Sequence, residues 1–163
     1  MRGFAAHIGL KPSQHNVNRY RAERTSVLVE VDWRLIGRSS RLWNRTRCLY
    51  AYVDPVCDRL LYVGKTDGST SVRTRFEAED KEDLFEFFES KLDVRGVRVA
   101  VGTLALDERI RLTRELISDT EGLLIRRTKP PGNVVVPRIT RPGLRVRCLG
   151  DWPYPRAEFR DVG

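Results

Sequence analysis

Cys48-Leu49-Tyr50-Ala51-Tyr52-Val53-Asp54-Pro55-Val56-Cys57-Asp58-Arg59-Leu60-Leu61-Tyr62-Val63-Gly64-Lys65 is the stretch whose reading decides the fold. Residues 49–53 and 60–64 are short runs of aromatic, aliphatic and β-branched side chains, the composition of core strands. Between them stand Asp54, Pro55 and Asp58, residues that favour turns, so the two runs are expected to pair as an antiparallel hairpin.

Toward the N-terminus, residues 26–33 read as a further strand, followed by a loop rich in Arg and Ser. Residues 1–25 are polar, contain Lys11-Pro12-Ser13, and read as a loose arm. Toward the C-terminus, Ser69-Thr70-Ser71 can cap a helix running through Val72 and Phe76 to about Glu79. A second helical stretch, 81–92, is strongly acidic, and 96–104 alternates as a third core strand. Residues 107–127 have the period of a long helix, which Pro130-Pro131 ends. The expected architecture is α/β: a small, largely antiparallel central sheet flanked by helices, with extensions at both ends. A basic N-terminal extension with one strand would occupy 1–45, the core domain 46–136, and a basic tail 137–163.

Composition bounds the function. A chain of 163 residues, 40% hydrophobic and 32% charged, suffices for one compact domain and is unlike a disordered chain. It contains no apolar run of the roughly 20 residues needed to span a bilayer. Its first residues, MRGFAAHIGLKPSQ, lack the apolar centre of a signal peptide, so a soluble, cytoplasmic protein with no membrane partner is expected. Cys48, Cys57 and Cys148 are too far apart, and His7 and His15 too few, for a disulfide framework or a zinc cage. The thiols read as reduced and packed in strands.

The net charge is +8 and unevenly placed. Residues 1–45 carry nine basic and three acidic side chains, 46–133 fifteen and sixteen, and 134–163 six and three. The basic excess thus lies in the flanks. Such surfaces attract phosphate backbones through counterion release, which makes nucleic acid the natural partner.

One residue breaks the pattern of the long helix. Ile110, Ile117, Leu124 and Ile125 form its apolar stripe, and Glu121 falls only about 40° from Ile117 and about 60° from Leu124. A carboxylate on a face meant for packing must meet a cation, a metal or dedicated donors.

These residues carry a resemblance. Cys48-Leu49-Tyr50, with Tyr62-Val63-Gly64-Lys65 beginning twelve residues after Tyr50, is similar to the paired tripeptides of the GIY-YIG nucleases, nearest to the YVGK form of the UvrC repair nucleases. Val72-Arg73-Thr74-Arg75-Phe76 resembles the family's Leu-x-x-Arg-Leu helix. Glu121, twelve residues before Asn133 and followed by Pro130, resembles the metal-binding Glu and the downstream Pro-x-x-Asn. The resemblance covers roughly residues 46–136. Cys48 and Leu49 replace the first Gly and Ile, and the arginine stands thirteen residues after Tyr62, later than is usual, so 67–71 reads as an enlarged turn. Arg73 is therefore a rival to Arg75, which is favoured because Val72 and Phe76 then fall where the family has apolar residues. Glu79 stands where the family often has His or Tyr.

The resemblance implies a metal-dependent endonuclease that hydrolyses phosphodiester bonds, with DNA the favoured substrate. Tyr62 would be general base or proton relay. A phenol has an ordinary pKa of about 10 and needs nearby positive charge, for which Lys65 is the candidate. Arg75 would grip a phosphate oxygen with its planar fork, Tyr50 would position water or phosphate, and Glu121 would hold one Mg²⁺ or Mn²⁺. Arg73 and Asn133 are candidate nucleic-acid contacts, and Asn133 would also brace its surroundings by side-chain hydrogen bonds. One active site cuts one strand at a time, so a double-strand break calls for a homodimer or two encounters. Two other readings stand beside this one: a catalytically weak nucleic-acid-binding module that keeps the fold, and a protein-interaction role centred on the acidic stretch 77–93.

Overall fold

The computed structural model describes residues 26–162; the arm expected over 1–25, with its two histidines, lies outside them. The strands are β1 (Val27–Ile36), β2 (Leu49–Val53), β3 (Leu60–Lys65), β4 (Arg98–Leu106), β5 (Leu144–Gly150) and β6 (Glu158–Arg160). They form one mixed sheet in the order β3-β2-β4-β1-β5-β6. All neighbours pair antiparallel except β1 and β5, which run parallel with Val29 opposite Val146. The helices are α1 (Val72–Phe76), α2 (Glu82–Leu92) and α3 (Arg114–Thr128).

Side chains alternate across a strand, so the sheet needs cover on both faces. On one face α3 packs Leu116, Ile117, Leu123 and Leu124 over Val29, Val31, Ala51, Val63 and Val146. On the other, α1 and α2 contribute Val72 and Phe88 to a second core with Tyr50, Tyr52, Val99 and Val101. The hairpin forms as expected, with Tyr52 opposite Tyr62 and Tyr50 opposite Gly64.

Several boundaries differ from expectation, each for a local reason. The helix expected over 107–127 starts only at Arg114, because Thr113 caps it by accepting from the Leu116 amide at 3.2 Å. Upstream, Asp107 closes a turn on the Arg109 amide at 3.0 Å, an alternative to helix that aspartate offers its own backbone. Ile110 therefore reaches the core from a turn and is not part of a helical stripe. Helix α1 is capped by Ser71 and stops at Phe76; a separate 3₁₀ turn, Glu79–Lys81, leads into α2. The stretch expected as a tail, 137–163, contributes β5 and β6 to the sheet. In β5 the alternation of Leu144, Val146 and Cys148 with Arg145 and Arg147 places the apolar residues in the core. Among the described residues no helix is long and apolar enough to cross a membrane.

Candidate active site

A cleft of about 280 Å³ opens where β2 begins and β3 ends, lined by Tyr50, Tyr62, Lys65, Asp67, Thr70, Arg75 and Glu121. It gathers every residue assigned above to catalysis, from two strands and two helices. Gly64 makes the arrangement possible. A Cβ there would lie 2.5 Å from Cζ of Tyr50 and 2.8 Å from Cε1 of Tyr62, so only glycine lets the two phenols share this end of the sheet. The rings of Tyr50, Tyr52 and Tyr62 pack as a set, with Tyr52 stacked on Tyr62 at 5.2 Å.

Helix α1 separates its two arginines. Arg75 faces the cleft and meets Asp80 at 3.5 Å. Burial opposes its charge, but hydrogen bonding to Tyr50 and the nearby Asp80 outweigh that and hold its pKa above the ordinary value. Burial, and then the neighbouring phenols Tyr62 and Tyr52, push the Tyr50 hydroxyl far above the usual tyrosine value, with Arg75 pulling against them. Tyr50 is therefore held as the neutral hydroxyl. Arg73 points elsewhere: its guanidinium lies 5.4 Å from the centre of the Trp43 ring and 3.6 Å from Glu77.

Glu121 projects from α3 and is 7% exposed. Its Oε2 accepts from Lys65 Nζ at 2.8 Å, and Lys65 also donates to Ser118 Oγ at 3.1 Å. Burial raises the Glu121 pKa, while the hydrogen bond and charge of Lys65 and the charges of Arg75 and Lys81 lower it in part. The second carboxylate at the cleft, Asp67, is committed to its turn. One oxygen accepts from the amides and hydroxyls of both Ser69 and Thr70, and this holds its pKa below the ordinary range. The enlarged turn is thus an ordered Asx turn.

Could these residues hold a divalent cation? The described residues include no group of three or more His, Cys, Asp or Glu that could cage one. Glu121 offers hard carboxylate oxygen, of which Lys65 engages one atom, and Tyr50, Tyr62 and Thr70 line the same cleft. This donor set fits an ion of the Mg²⁺ or Mn²⁺ kind that keeps most of its waters and leans on a substrate phosphate.

Two expectations about roles change. Lys65 was the candidate cation for Tyr62, yet the two are three apart in an extended strand, an odd separation that sends them to opposite faces. Lys65 turns toward α3 and Glu121. The cation at the Tyr62 hydroxyl is Lys81, whose Nζ lies 3.2 Å from Oη. Sequence reasoning missed Lys81 because a lysine in an acidic stretch reads as part of a solvated helix face. Asn133, in turn, lies outside the cleft lining. Its Oδ1 accepts from the Val63 amide at 2.9 Å and its Nδ2 donates to the Val63 carbonyl at 2.8 Å. It braces the outer edge of β3, the strand that carries Tyr62 and Lys65.

Compared with known protein families, with curated proteins and with solved structures, the chain gives no match.

Proposed function

We propose that the protein is a metal-dependent nuclease of the GIY-YIG type that hydrolyses phosphodiester bonds in nucleic acid, with DNA the favoured substrate. The observation that carries this reading is the convergence of Tyr50, Tyr62, Lys65, Arg75 and Glu121 on one small polar cleft.

The chemistry follows from the groups. Hydrolysis of a phosphodiester needs a deprotonated water, a fixed phosphate and neutralisation of charge on the phosphoryl oxygens. The Tyr62 oxygen gives up its own proton to solvent and takes that of the attacking water, directly or as a relay. Arg75 holds a non-bridging oxygen through its planar fork, which Asp80 keeps aligned. Tyr50 donates its hydroxyl to water or phosphate. A divalent ion bound at Glu121 would supply Lewis-acid polarisation of the phosphate. Lys65 holds that carboxylate in place and shares its negative charge. In the cleft Lys65 and Arg75 offer cations to a phosphate beside the carboxylates of Asp67 and Glu121, and the basic excess of the flanking sequence attracts a polyanion.

The second reading is a nucleic-acid-binding module that retains the fold without cutting. The 2.8 Å pairing of Lys65 with Glu121 favours it, because that lysine neutralises the carboxylate an ion would need. One experiment separates the two: incubation with supercoiled plasmid, linear duplex and single strands, each with Mg²⁺, Mn²⁺ or EDTA. Nicks that require a divalent ion support the nuclease. Binding without cleavage under every condition supports the module.

A further inference from the structure

Lys81 is 4% exposed, unusual for a lysine, in a turn of otherwise exposed acidic residues. Its position is unfavourable for a cation. It sits at the N-cap of α2, where the helix dipole favours negative charge. Its Nζ meets Asp80 at 3.3 Å, but the Asp80 side chain is 57% exposed, so that pair alone gives no reason to bury the ammonium. The burial serves a different contact. Nζ lies 3.2 Å from Tyr62 Oη and 4.7 Å from the centre of the Tyr62 ring.

The direction of this hydrogen bond is fixed by chemistry. An ammonium carries three donors and no acceptor, so Tyr62 Oη must accept. The hydroxyl's own proton then points away from Lys81. The ring cannot turn to follow, because Tyr52 stacks on it at 5.2 Å and Tyr50 flanks it at 6.0 Å. Tyr62 lines the cleft together with Arg75 and Glu121. The contacts also form a chain, Tyr62 to Lys81 to Asp80 to Arg75, which couples the base to the phosphate-gripping arginine.

We propose that Lys81 is the positioning residue of the site: it donates to the Tyr62 oxygen, aims that oxygen's free proton or lone pair into the cleft, and balances negative charge there during proton transfer. The assignment rests on the nuclease reading above. Lys81 acts through Tyr62 and touches no substrate, which separates it from a phosphate-binding lysine. It also replaces Lys65 in the role for which the sequence nominated that residue.

A double-mutant cycle tests this, with kcat and KM measured for plasmid nicking at saturating Mn²⁺. Lys81→Met keeps the length of the buried stem while removing charge and donors. It should lower kcat by about tenfold to a hundredfold, a part of the roughly 10²–10⁴ that general-base catalysis contributes, and leave KM within about twofold. Lys81→Arg, which keeps a charged donor, should recover part of the loss. In a Tyr62→Phe background, Lys81→Met should cost less than about twofold more, as expected of residues acting as a unit. Equal losses in both backgrounds, or a raised KM with kcat unchanged, would overturn the proposal. A readout independent of cleavage is the ¹³Cζ resonance of Tyr62, assigned by its disappearance in Tyr62→Phe. It should move in Lys81→Met, and an unmoved resonance refutes the pairing. Should wild type cut nothing while that resonance moves, the nuclease reading fails and the Lys81–Tyr62 hydrogen bond stands.

Discussion

Replacing each arginine of α1 in turn gives the clearest separation of catalysis from stability. Arg75→Ala removes a guanidinium whose side chain is 35% exposed and lines the cleft. Its ion-pair partner, Asp80, is largely exposed, and such a pair contributes ~0–1 kcal/mol; its hydrogen bond with Tyr50 adds about 1 kcal/mol. Its catalytic share is larger. Removing one preorganised donor from a developing oxyanion costs about 10²–10³ in kcat, or roughly 3–4 kcal/mol. The variant should therefore melt within a few degrees of wild type and be nearly inactive. Arg73→Ala should instead spare catalysis. It removes an exposed i,i+4 pair with Glu77 and a cation–π interaction with Trp43, together about 1 kcal/mol. For a chain of this size that is a fall of roughly 2–5 °C in Tm, with kcat essentially unchanged. Arg75→Lys should remain badly impaired, because an ammonium lacks the planar fork. The assay is initial-rate nicking of supercoiled plasmid, paired with thermal melts of each variant. Loss of turnover in Arg73→Ala, with Arg75→Ala merely loosening substrate, would refute the placement of the phosphate site.

Glu121→Gln should stabilise the fold at neutral pH. Burial raises the Glu121 pKa, so its stabilising contribution is complete at low pH, where the group is protonated in both states, and is lost as pH rises through the raised value. The always-neutral amide avoids that loss, so its Tm advantage should be small near pH 4 and grow toward pH 7; a mutant less stable than wild type at pH 7 would contradict this. Asn133→Ala strips both hydrogen bonds from the Val63 backbone at the edge of the sheet. It should destabilise by about 1–3 kcal/mol in denaturant melts while retaining more activity than Arg75→Ala. Deleting residues 1–20 should flatten the dependence of log affinity on log salt by roughly 0.9 for each phosphate the arm would otherwise neutralise; an unchanged slope would show that the arm's charge plays no part in binding.

What the sequence revealed follows from the range of the interactions concerned. The β2–β3 hairpin, the Ser71 cap and the buried Glu121 were legible because each depends on near neighbours: a turn between two runs, a hydroxyl three residues from an amide, a carboxylate on an apolar helical face. The parallel pairing of β1 with β5 joins residues more than a hundred positions apart, and a charge count over 137–163 hid it. The alternation of Leu144, Val146 and Cys148 with two arginines was nonetheless there to be read as a strand. Lys65 shows a rule available but unused, since the two-residue strand period already put it on the face opposite Tyr62. Lys81 is different. Nothing local distinguishes a lysine that turns inward from one that stays in water, and only the packing of the Glu79–Lys81 turn against β3 settles its direction.

The central claim is that Glu121 is the carboxylate on which cleavage depends, and one substitution tests it most directly. Glu121→Gln preserves shape and hydrogen bonding but removes the charge a divalent ion requires. Cleavage rate and duplex affinity should be measured on the same preparation, with Mg²⁺ or Mn²⁺ and again with EDTA. The account predicts at least a hundredfold loss of cleavage, on the order of 3 kcal/mol in the barrier, with affinity retained. Full cleavage by the mutant, or by wild type in EDTA, would contradict it.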